Sequence, residues 1–245
     1  MTKNIPGTEG EKRLFPKPWD YSCYLLLKLK KAIASIIREV RYTGNNLPLK
    51  VLDYGCGTRP YEPLFKEQSI KYIGADIIGN PVADIHFQPG KTLQIENQSV
   101  DILFSSQVLE HVENVSGYMS ECFRVLKPQG LLILSTHGYW TYHGYPEDYR
   151  RWTFFGLKSE IENAHFTVQN IIPCVGPLAY TTHLRSQLIR GFLYKFAPIS
   201  LPLIGLVKTT ASLLMLLEDW ITPKQVKDEN SAVYVVEARR NNNIL

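Results

Sequence analysis

The sequence predicts an α/β fold in which a mostly parallel sheet is covered by helices on both faces. Short apolar runs recur along the chain, and the segments between them can form helices. Near-continuous apolar strands that alternate with helices are typical of a parallel sheet whose two faces are both buried. The chain has 245 residues, of which 44% are hydrophobic, so it can form one large domain with appendages.

Seven segments are predicted as strands and three as helices. The predicted strands cover residues 50–54, 72–76, 83–87, 101–105, 130–135, 166–173 and 232–238. The predicted helices cover residues 20–42, 118–126 and 154–163. The first helix is amphipathic, because apolar residues from Leu26 to Val40 recur at helical spacing and basic residues fall mostly between them.

The chain is predicted to consist of an N-terminal extension and one domain. Residues 1–46 form the extension, and residues 47–245 form the domain. Within the domain, residues 175–228 are predicted as a helical insertion before the last strand, because a structureless loop of that length would be improbable. The stretch 163–217 contains no Asp or Glu. Its charged side chains are Arg185, Arg190, Lys195 and Lys208.

Charge and cysteine content exclude several classes of protein. The formal net charge of +4 does not indicate nucleic-acid binding through bulk positive charge. The four cysteines show no CxxC or CxxH spacing, so neither a zinc site nor a disulfide framework is expected. The polar N-terminus lacks the apolar core of a secretory signal, and a cytoplasmic location is expected.

A glycine turn follows the first predicted strand. Gly55 and Gly57 stand two residues apart, which permits a tight turn and lets backbone amides approach a ligand closely. Pro60 replaces the third glycine of a dinucleotide fingerprint, and Asp53 would repel a pyrophosphate. An acid at this point can instead pair with the amino group of a ligand. A lone GxG is also compatible with an ordinary turn.

Two more acids lie on the next two predicted strands. Asp76 ends the second strand, where a carboxylate can accept hydrogen bonds from two neighbouring ribose hydroxyls. Asp84 lies within the third strand and can accept from the amino group of an adenine. Together with the glycine turn, these acids predict a ligand that contains adenosine and an amino acid but no phosphate.

Four motifs resemble those of class I S-adenosylmethionine-dependent methyltransferases, in particular the family known as methyltransferase type 11. They read VLDYGCGTRPYEPLF, YIGADI, VDILFSSQVLEHV and RVLKPQGLLILSTHG, in the family's order, over about residues 47–173. The resemblance includes enzymes of ubiquinone biosynthesis and of polysaccharide biosynthesis. It implies a Rossmann-like, mostly parallel seven-stranded sheet and S-adenosylmethionine as the cofactor.

The resemblance also implies a set of cofactor-binding residues. They are Asp53, Gly55 and Gly57 for the methionine end, Asp76 and Ile77 for the ribose, Asp84 and Ile85 for the adenine, and Gln107 beneath the cofactor. Arg59 departs from the family pattern, in which many members have a third glycine. Its side chain is expected to point outward, which leaves the assignment of the cofactor in place.

The acceptor is expected to bind at residues 137–153, which follow the fifth predicted strand. Ligands of open α/β sheets lie outside the carboxyl ends of the strands, where this segment emerges. Its PEDYRRWT core is similar to methyltransferases of bacterial surface-polysaccharide biosynthesis, which implies a sugar, glycan or other small-molecule acceptor. The predicted acceptor-binding residues are Tyr145, Asp148, Tyr149, Arg150, Arg151 and Trp152. A packed loop, with an arginine paired to Asp148 and with Trp152 in the core, is the alternative for any single residue.

Methyl transfer to oxygen needs a base that removes the hydroxyl proton. Histidine has a suitable unperturbed pKa for this role. His111, His137 and His143 are the candidates, and His137 or His143 is favoured because His111 follows Glu110 at the start of a helix. The acceptor atom, oxygen, nitrogen or carbon, is left open by the sequence.

A resident metal ion is not expected. In the ubiquinone-type relatives, an E-x-x-E-H stretch after the fourth strand can bind a divalent ion. Here Gln107 replaces the first carboxylate and leaves only Glu110 and His111. One carboxylate and one imidazole are a poor ligand set for Mg²⁺. The sequence therefore predicts catalysis without a metal.

Other functions are disfavoured by the same residues. A catalytically inactive binding or scaffold protein with this fold is the main alternative, although such a protein would have no need of an intact glycine turn and Asp76. A nucleic-acid methyltransferase would carry an Asn/Asp-Pro-Pro-aromatic motif, which is not evident, so no nucleic-acid partner is expected. A dinucleotide-dependent oxidoreductase is disfavoured by Pro60 and Asp53.

Residues 201–217 allow two interpretations. The stretch is mostly apolar, but Pro202, Gly205 and Lys208 interrupt it, and it is shorter than the ~20 residues of a spanning helix. In one interpretation it caps the substrate pocket, and four leucines pack on the core. These are Leu213, Leu214, Leu216 and Leu217. In the other, it makes peripheral contact with the anionic inner face of the membrane, because the acid-free segment and the 20–42 helix are both basic.

Overall fold

A seven-stranded sheet forms the centre of the part of the chain that the structure describes. The structure is a computed structural model and describes residues 9–20, 22–40, 49–68, 70–144 and 146–242. The strands are β1 (Lys50–Tyr54), β2 (Lys71–Ile77), β3 (Ile85–Phe87), β4 (Val100–Ser106), β5 (Leu126–His137), β6 (Phe166–Pro173) and β7 (Val233–Arg240). All seven coincide with predicted strands, although β5 is longer and β3 is shorter than predicted.

The order of the strands places several strand ends side by side. The order is β3-β2-β1-β4-β5-β7-β6. Strands β1 to β5 pair in parallel, whereas β7 runs antiparallel to β5 and β6. Because β2 and β4 flank β1, the carboxyl ends of these three strands lie at the same edge of the sheet. The predicted mostly parallel, Rossmann-like fold is confirmed.

Helices cover both faces of this sheet. They are α1 (Glu9–Leu14), α2 (Cys23–Glu39), α3 (Val115–Val125), α4 (Phe154–Asn163), α5 (Pro177–Leu193), α6 (Leu201–Ile221) and α7 (Lys224–Glu229). The helix predicted over 20–42 begins only at Cys23, because Ser22 has a φ of 64°, a left-handed conformation that a right-handed helix excludes. Residues 41–42 lie outside the described residues.

Each face of the sheet has its own apolar core. The first core contains Val51 of β1 together with Ile33 of α2. The second core, on the opposite face, contains Leu52 of β1 together with Met119 of α3. Successive side chains of a strand point to opposite faces, so a continuous apolar strand serves both cores. This is why the strands of this sheet carry continuous apolar runs rather than alternating ones.

Helix α2 is a structural part of the first core. Leu29, Ile33 and Ile37 are at most 2% exposed, and they pack in the cluster that also contains residues of β1 and β4. On another side of the helix, the ammonium of Lys28 lies 2.8 Å from a carboxylate oxygen of Asp219 in α6. The apolar face of this basic helix is therefore covered by the sheet and is not available to a membrane.

The insertion between β6 and β7 consists mainly of α5 and α6, which pack against each other as a helical hairpin. Here the expectation that four leucines of α6 pack on the core is wrong. Leu213, Leu214, Leu216 and Leu217 are each at least 46% exposed, because the side of α6 that faces the protein carries Met215, Glu218 and Asp219 instead. Helix α6 also continues to Ile221, and its 21 residues are long and apolar enough to cross a membrane by length and composition.

We predict that Ile33→Ala lowers the free energy of unfolding by about 2–5 kcal/mol, because the deletion leaves a cavity at a fully buried position of α2. Urea unfolding followed by circular dichroism measures this loss. Lys31→Ala, on the exposed side of the same helix, is the control and is expected to change stability by less than about 0.5 kcal/mol. Equal small effects of both substitutions would show that α2 is an independent appendage.

Candidate functional site

The glycine turn after β1 is fixed to the neighbouring strand by its backbone. The amides of Gly55 and Cys56 both donate to the carbonyl oxygen of Ala75 in β2, at 2.8 and 3.0 Å. The turn therefore lies directly above the carboxyl ends of β1 and β2, at the edge where ligands of parallel sheets bind.

The two glycines of this turn serve different purposes. Both have positive φ, 85° for Gly55 and 50° for Gly57. A Cβ at Gly55 would lie 2.4 Å from a methyl carbon of Val108, so the close approach of the β4 loop requires glycine there. A Cβ at Gly57 would meet no atom within 4 Å. Gly57 thus faces open space, as a backbone that approaches a ligand closely would.

Asp76 lies at the end of β2 and connects that strand to the glycine turn. One carboxylate oxygen accepts from the amide of Gly57 at 2.7 Å and from the side-chain amide of Asn80 at 2.6 Å, and the other accepts from the amide of Ile77. Asn80 also donates to the carbonyl of Gly57 at 2.8 Å. Sequence reasoning missed Asn80, since an Asn-Pro pair signals only a turn.

Asp53 lies inside the protein rather than at the surface of the turn. It is 2% exposed, and its carboxylate accepts a hydrogen bond from the hydroxyl of Tyr72. Burial raises the pKa of Asp53 to about 7, because the charged form loses its hydration. Its predicted pairing with the amino group of the ligand stays a prediction.

Arg59 does not point outward as expected. Its guanidinium lies 2.6 Å from a carboxylate oxygen of Asp84, which also accepts from the amide of Gly74 at 2.9 Å. The side chain fits over Gly74, where a Cβ would lie 2.8 Å from Nε of Arg59. The missing side chain at Gly74 leaves room for the guanidinium, and Asp84 attracts it. Arg59 therefore bridges the turn to the loop before β3.

The remaining predicted cofactor residues lie near the same edge. Ile77 is the last residue of β2 and is 42% exposed, and Ile85 begins β3 and packs against the second core. Gln107 follows β4, and both its backbone and its side-chain amide donate to Ser135 of β5. The structure thus brings the predicted set to one edge of the sheet, as the strand order requires.

A second group of polar residues surrounds the end of β5. His137 is 3% exposed, its ring stacks on Trp140 with centroids 4.5 Å apart, and its Nδ1 lies 3.1 Å from Oε1 of Glu110. The other oxygen of Glu110 accepts from the hydroxyl of Thr136 at 2.9 Å. Burial raises the pKa of Glu110 to about 7 and lowers the pKa of His137 to about 2. Burial therefore shifts both groups toward their neutral forms.

His143 lies beside this pair but is more accessible. Its side chain is 40% exposed, and its ring centroid lies 5.0 Å from that of His137 and 4.8 Å from that of His111. Nδ1 of His143 lies 3.5 Å from a carboxylate oxygen of Asp148. Burial and then the neighbouring His111 lower the pKa of His143 below its ordinary value. The imidazole is therefore neutral at physiological pH, as a base must be.

The loop after β5, residues 138–153 without the undescribed residue 145, is the predicted acceptor loop, and its own charged residues hold it in place. Arg151 donates to both carboxylate oxygens of Asp148, at 2.5 Å each, and this hydrogen bonding lowers the pKa of Asp148. Arg150 donates to the backbone carbonyls of Val112 and Glu113. These contacts are those of the packed-loop alternative.

Two aromatic residues of the same loop take different positions. Trp152 packs against the second core, whereas Tyr149 is 46% exposed. Tyr145 lies outside the described residues. A role of any of these loop residues in acceptor binding stays a prediction.

One set of side chains has the composition of a metal site. Glu110, His137 and His143 each offer one ligand atom, and these atoms lie within 4.8 Å of one another. Two imidazoles and one carboxylate suit zinc and related transition metals better than Mg²⁺. Sequence reasoning considered only Gln107, Glu110 and His111, because the two other histidines lie far away along the chain. Catalysis without a metal ion therefore stays a prediction from the sequence.

Fold and site together define a class I S-adenosylmethionine-dependent methyltransferase. Residues 27–171, more than half of the chain, match the family model described as a methyltransferase domain. The chain belongs to this family, and S-adenosylmethionine is its cofactor. The open face of Gly57 and the carboxylate of Asp76 at the end of β2 fit that cofactor, which has a ribose but no phosphate.

Named relatives agree with this assignment. A protein of Mycolicibacterium smegmatis named "probable S-adenosylmethionine-dependent methyltransferase" is 34% identical over 95 residues, 35% of this chain and 37% of that protein. A ubiquinone biosynthesis O-methyltransferase of Cereibacter sphaeroides is 33% identical over 101 residues, 36% of this chain and 41% of the relative. The chain thus spans about two fifths of the length of these curated relatives.

A solved structure shows the same fold. The phosphoethanolamine N-methyltransferase 2 of Haemonchus contortus, in complex with S-adenosyl-L-methionine, matches with a TM-score of 0.54 and 14% identity. The match covers 98% of this chain and 61% of that one. At this level of identity the similarity concerns the fold alone. The acceptor has to be inferred from the site itself.

We predict that Asp76→Ala weakens S-adenosylmethionine binding by about 1–3 kcal/mol, because ribose hydroxyls and the Gly57 amide lose their acceptor. Isothermal titration calorimetry measures the dissociation constant. Glu96→Ala, an exposed acid outside the site, is the control and is expected to bind like the wild type. An unchanged dissociation constant for Asp76→Ala would show that Asp76 does not hold the ribose.

Cofactor affinity is also expected to depend on pH through Asp53. Because the pKa of Asp53 is raised to about 7, its carboxyl is protonated below that pH and cannot pair with an amino group. Affinity should therefore fall by up to about tenfold per pH unit below pH ~7 and level off above it. In Asp53→Asn this dependence should vanish. A wild-type affinity that is constant over the same range would remove Asp53 from the binding site.

Proposed function

We propose that this chain is an O-methyltransferase, which transfers the methyl group of S-adenosylmethionine to a hydroxyl of a sugar, a glycan or another small molecule in cell-surface polysaccharide or lipid-linked metabolism. The observation that carries the proposal is the position of His143. This accessible, neutral imidazole lies beside the end of β5, next to the edge that holds the cofactor residues. A hydroxyl acceptor requires such a base.

His143 is a better base than His137. His137 is almost completely buried, stacks on Trp140 and directs its Nδ1 at Glu110, so an incoming acceptor cannot easily reach it. His143 is accessible, and Asp148 lies on the side of its Nδ1. Asp148 is fixed by Arg151 and accepts from the backbone amide of His143 at 3.0 Å, and we propose that it is a positioning residue for the imidazole, whose Nδ1 lies 3.5 Å away. This arrangement of base and orienting carboxylate recurs in enzymes that activate hydroxyl groups.

Exposed aromatic residues in the loop that carries the proposed base favour a ring-shaped acceptor. Tyr139, Tyr142 and Tyr149 are each at least 46% exposed and belong to the loop that carries His143. Aromatic side chains present a flat apolar face together with a polar hydroxyl, which suits ligands that combine apolar ring faces with hydroxyl groups. The names of the relatives in ubiquinone biosynthesis agree with oxygen as the acceptor atom.

We propose a cytoplasmic location, with peripheral contact to the anionic inner face of the membrane.

The proposal can be tested by methyl transfer from labelled S-adenosylmethionine to nucleotide sugars, lipid-linked glycans and quinone precursors. Transfer to a hydroxyl of one class supports the proposal and identifies the acceptor. Cofactor binding with no transfer to any of them would favour the alternative, an inactive binding or scaffold protein. Transfer to nitrogen or carbon would overturn the assignment of the acceptor atom.

We predict that His143→Asn lowers kcat by about 10²–10⁴-fold, because the hydroxyl proton loses its acceptor. The dissociation constant of S-adenosylmethionine should not change, since His143 is expected to contact only the acceptor. His165→Asn, at an exposed position in the turn before β6, is the matched control. If His143→Asn retains full kcat, another group removes the proton.

Activity is expected to survive removal of metal ions. After dialysis against EDTA, kcat should equal that of the untreated protein, because His143 removes the proton without a Lewis acid. The informative contrary result is a loss of activity that Zn²⁺ or Mg²⁺ restores. In that case Glu110, His137 and His143 would be assigned as metal ligands and not as a proton-transfer group.

A further inference from the structure

The hairpin of α5 and α6 has an apolar outer surface. Large apolar side chains are exposed along α5, along α6 and in the segment that joins them. Six examples, each at least 59% exposed, are Leu188, Phe192, Ile199, Leu206, Leu213 and Trp220. Soluble monomers rarely expose a continuous apolar surface of this extent.

The inner surface of the same hairpin carries buried polar side chains beside apolar ones such as Ile204 and Met215. Thr182 of α5 donates to Glu218 of α6 at 2.8 Å, and both residues are buried. Asp219 is 1% exposed and accepts from the hydroxyl of Tyr24 and from the amide of Gly176, each at 2.8 Å. A hairpin in water usually has polar residues on its outer side, whereas the outer side here carries large apolar side chains. The outer surface is therefore adapted to an apolar environment.

The width of the apolar surface points to a lipid rather than a protein. At 3.6 residues per turn, Leu213, Leu214 and Leu216 span an arc of about 160° around α6. A helix that packs on a protein presents an apolar stripe of about 100° or more, and the arc of α6 is wider than that minimum. A helix that lies half-immersed in a bilayer buries about half of its circumference, which agrees with the wider arc.

The apolar arc runs along the whole of α6, from Leu203 near its start to Ile221 at its end. A hairpin inserted by its tip alone would leave the residues near its base in water. The arc along α6 therefore fits a hairpin that lies parallel to a surface.

The charge of the hairpin agrees with an anionic lipid surface. The hairpin, residues 177–221, carries four cationic side chains and two acids, Glu218 and Asp219, which are both buried. Lys195 is exposed, and Arg185 is exposed but lies 3.9 Å from Glu218. Long cationic side chains can reach lipid headgroups while their stems lie along apolar surface. Each such charge near an anionic membrane strengthens binding.

We propose that the α5–α6 hairpin lies flat in the surface of a bilayer that contains anionic phospholipid, with the outer faces of both helices among the acyl chains. The acidic end of α6 stays in the protein, where Asp219 is paired with Lys28. This inference extends the membrane contact of the proposed function to a specific surface. It assigns the contact to the hairpin and not to α2, whose apolar face is buried.

The base of the hairpin adjoins the candidate acceptor site. The hydroxyl of Tyr180 in α5 accepts from the amide of Thr141 at 2.9 Å, and Trp140 stacks between His137 and Tyr180. The acceptor loop therefore rests on α5. When the hairpin lies in the membrane, this contact holds the loop close to the lipid surface. Given the proposed function, the acceptor class that this geometry favours is a hydroxyl compound linked to a lipid.

The inference can be tested by flotation with vesicles of phosphatidylcholine alone and of phosphatidylcholine mixed with phosphatidylglycerol. No acceptor is present, so the result does not depend on methyl transfer. We expect the full chain to float with the mixed vesicles and less with the neutral ones, and high salt should reduce the difference. Recovery of the full chain in the soluble fraction with both vesicle types would overturn the proposal.

Variants locate the contact. Leu206→Glu combined with Leu213→Glu should reduce the vesicle-bound to free ratio at least tenfold. Phe155→Glu, an exposed apolar position of α4 outside the hairpin, is the matched control and should float like the wild type. Thermal unfolding and cofactor affinity should be unchanged in all variants, which confirms that they are folded. Equal flotation of the double variant and the control would overturn the assignment to the hairpin.

A second copy of the chain is the competing occupant of this surface. Sedimentation in the absence of lipid distinguishes the two. A stable dimer that the double variant converts to a monomer, without flotation of the wild type, would assign the surface to a protein interface and overturn the proposal. Methyl transfer to a soluble acceptor by a protein that does not float would leave the proposed enzyme intact and reject only the membrane contact.

Discussion

Parallel pairing of β1 with both β2 and β4 is the constraint on which the site depends. It brings three strand ends to one edge and so places the glycine turn beside Asp76. The carbonyl of Ala75 then accepts two amides of the turn, and Asp76 accepts a third from Gly57. Two of these contacts are made by backbone atoms alone and the third by the carboxylate at the end of β2, so the sheet sets the position of the predicted cofactor residues.

The sequence predicts this part well, because its signals are local. A glycine turn, an acid at a strand end and an apolar strand each occupy a few consecutive residues, and the order of the motifs determines their arrangement. Arg59 was placed wrongly, since its direction depends on two distant residues. The guanidinium lies over Gly74 and pairs with Asp84, and neither contact can be inferred from the residues next to Arg59.

The acceptor side depends on burial, which the sequence does not reveal. His137 and His143 looked equivalent as bases, yet one is 3% exposed beside Glu110 and the other is accessible beside Asp148. Burial shifts Glu110 and His137 toward their neutral forms, whereas the side chain of His143 is 40% exposed and lies beside the partly exposed His111. The grouping of Glu110 with two histidines likewise arises only when the ends of β4 and β5 meet.

The hairpin shows why a hydrophobic pattern can predict an element but not its surroundings. An apolar segment before the last strand correctly indicated a helix, and the usual inference placed its leucines against the core. Glu218 and Asp219 decide instead which side of α6 faces the protein. Asp219 accepts from Tyr24 and from a backbone amide and pairs with Lys28, and these contacts fix the rotation of the helix. Once those polar contacts are made inside, the leucines have no position left but the outside. The apolar surface is thus a direct consequence of the buried carboxylates, and loss of the Asp219 contacts would remove the reason for the leucines to face outward.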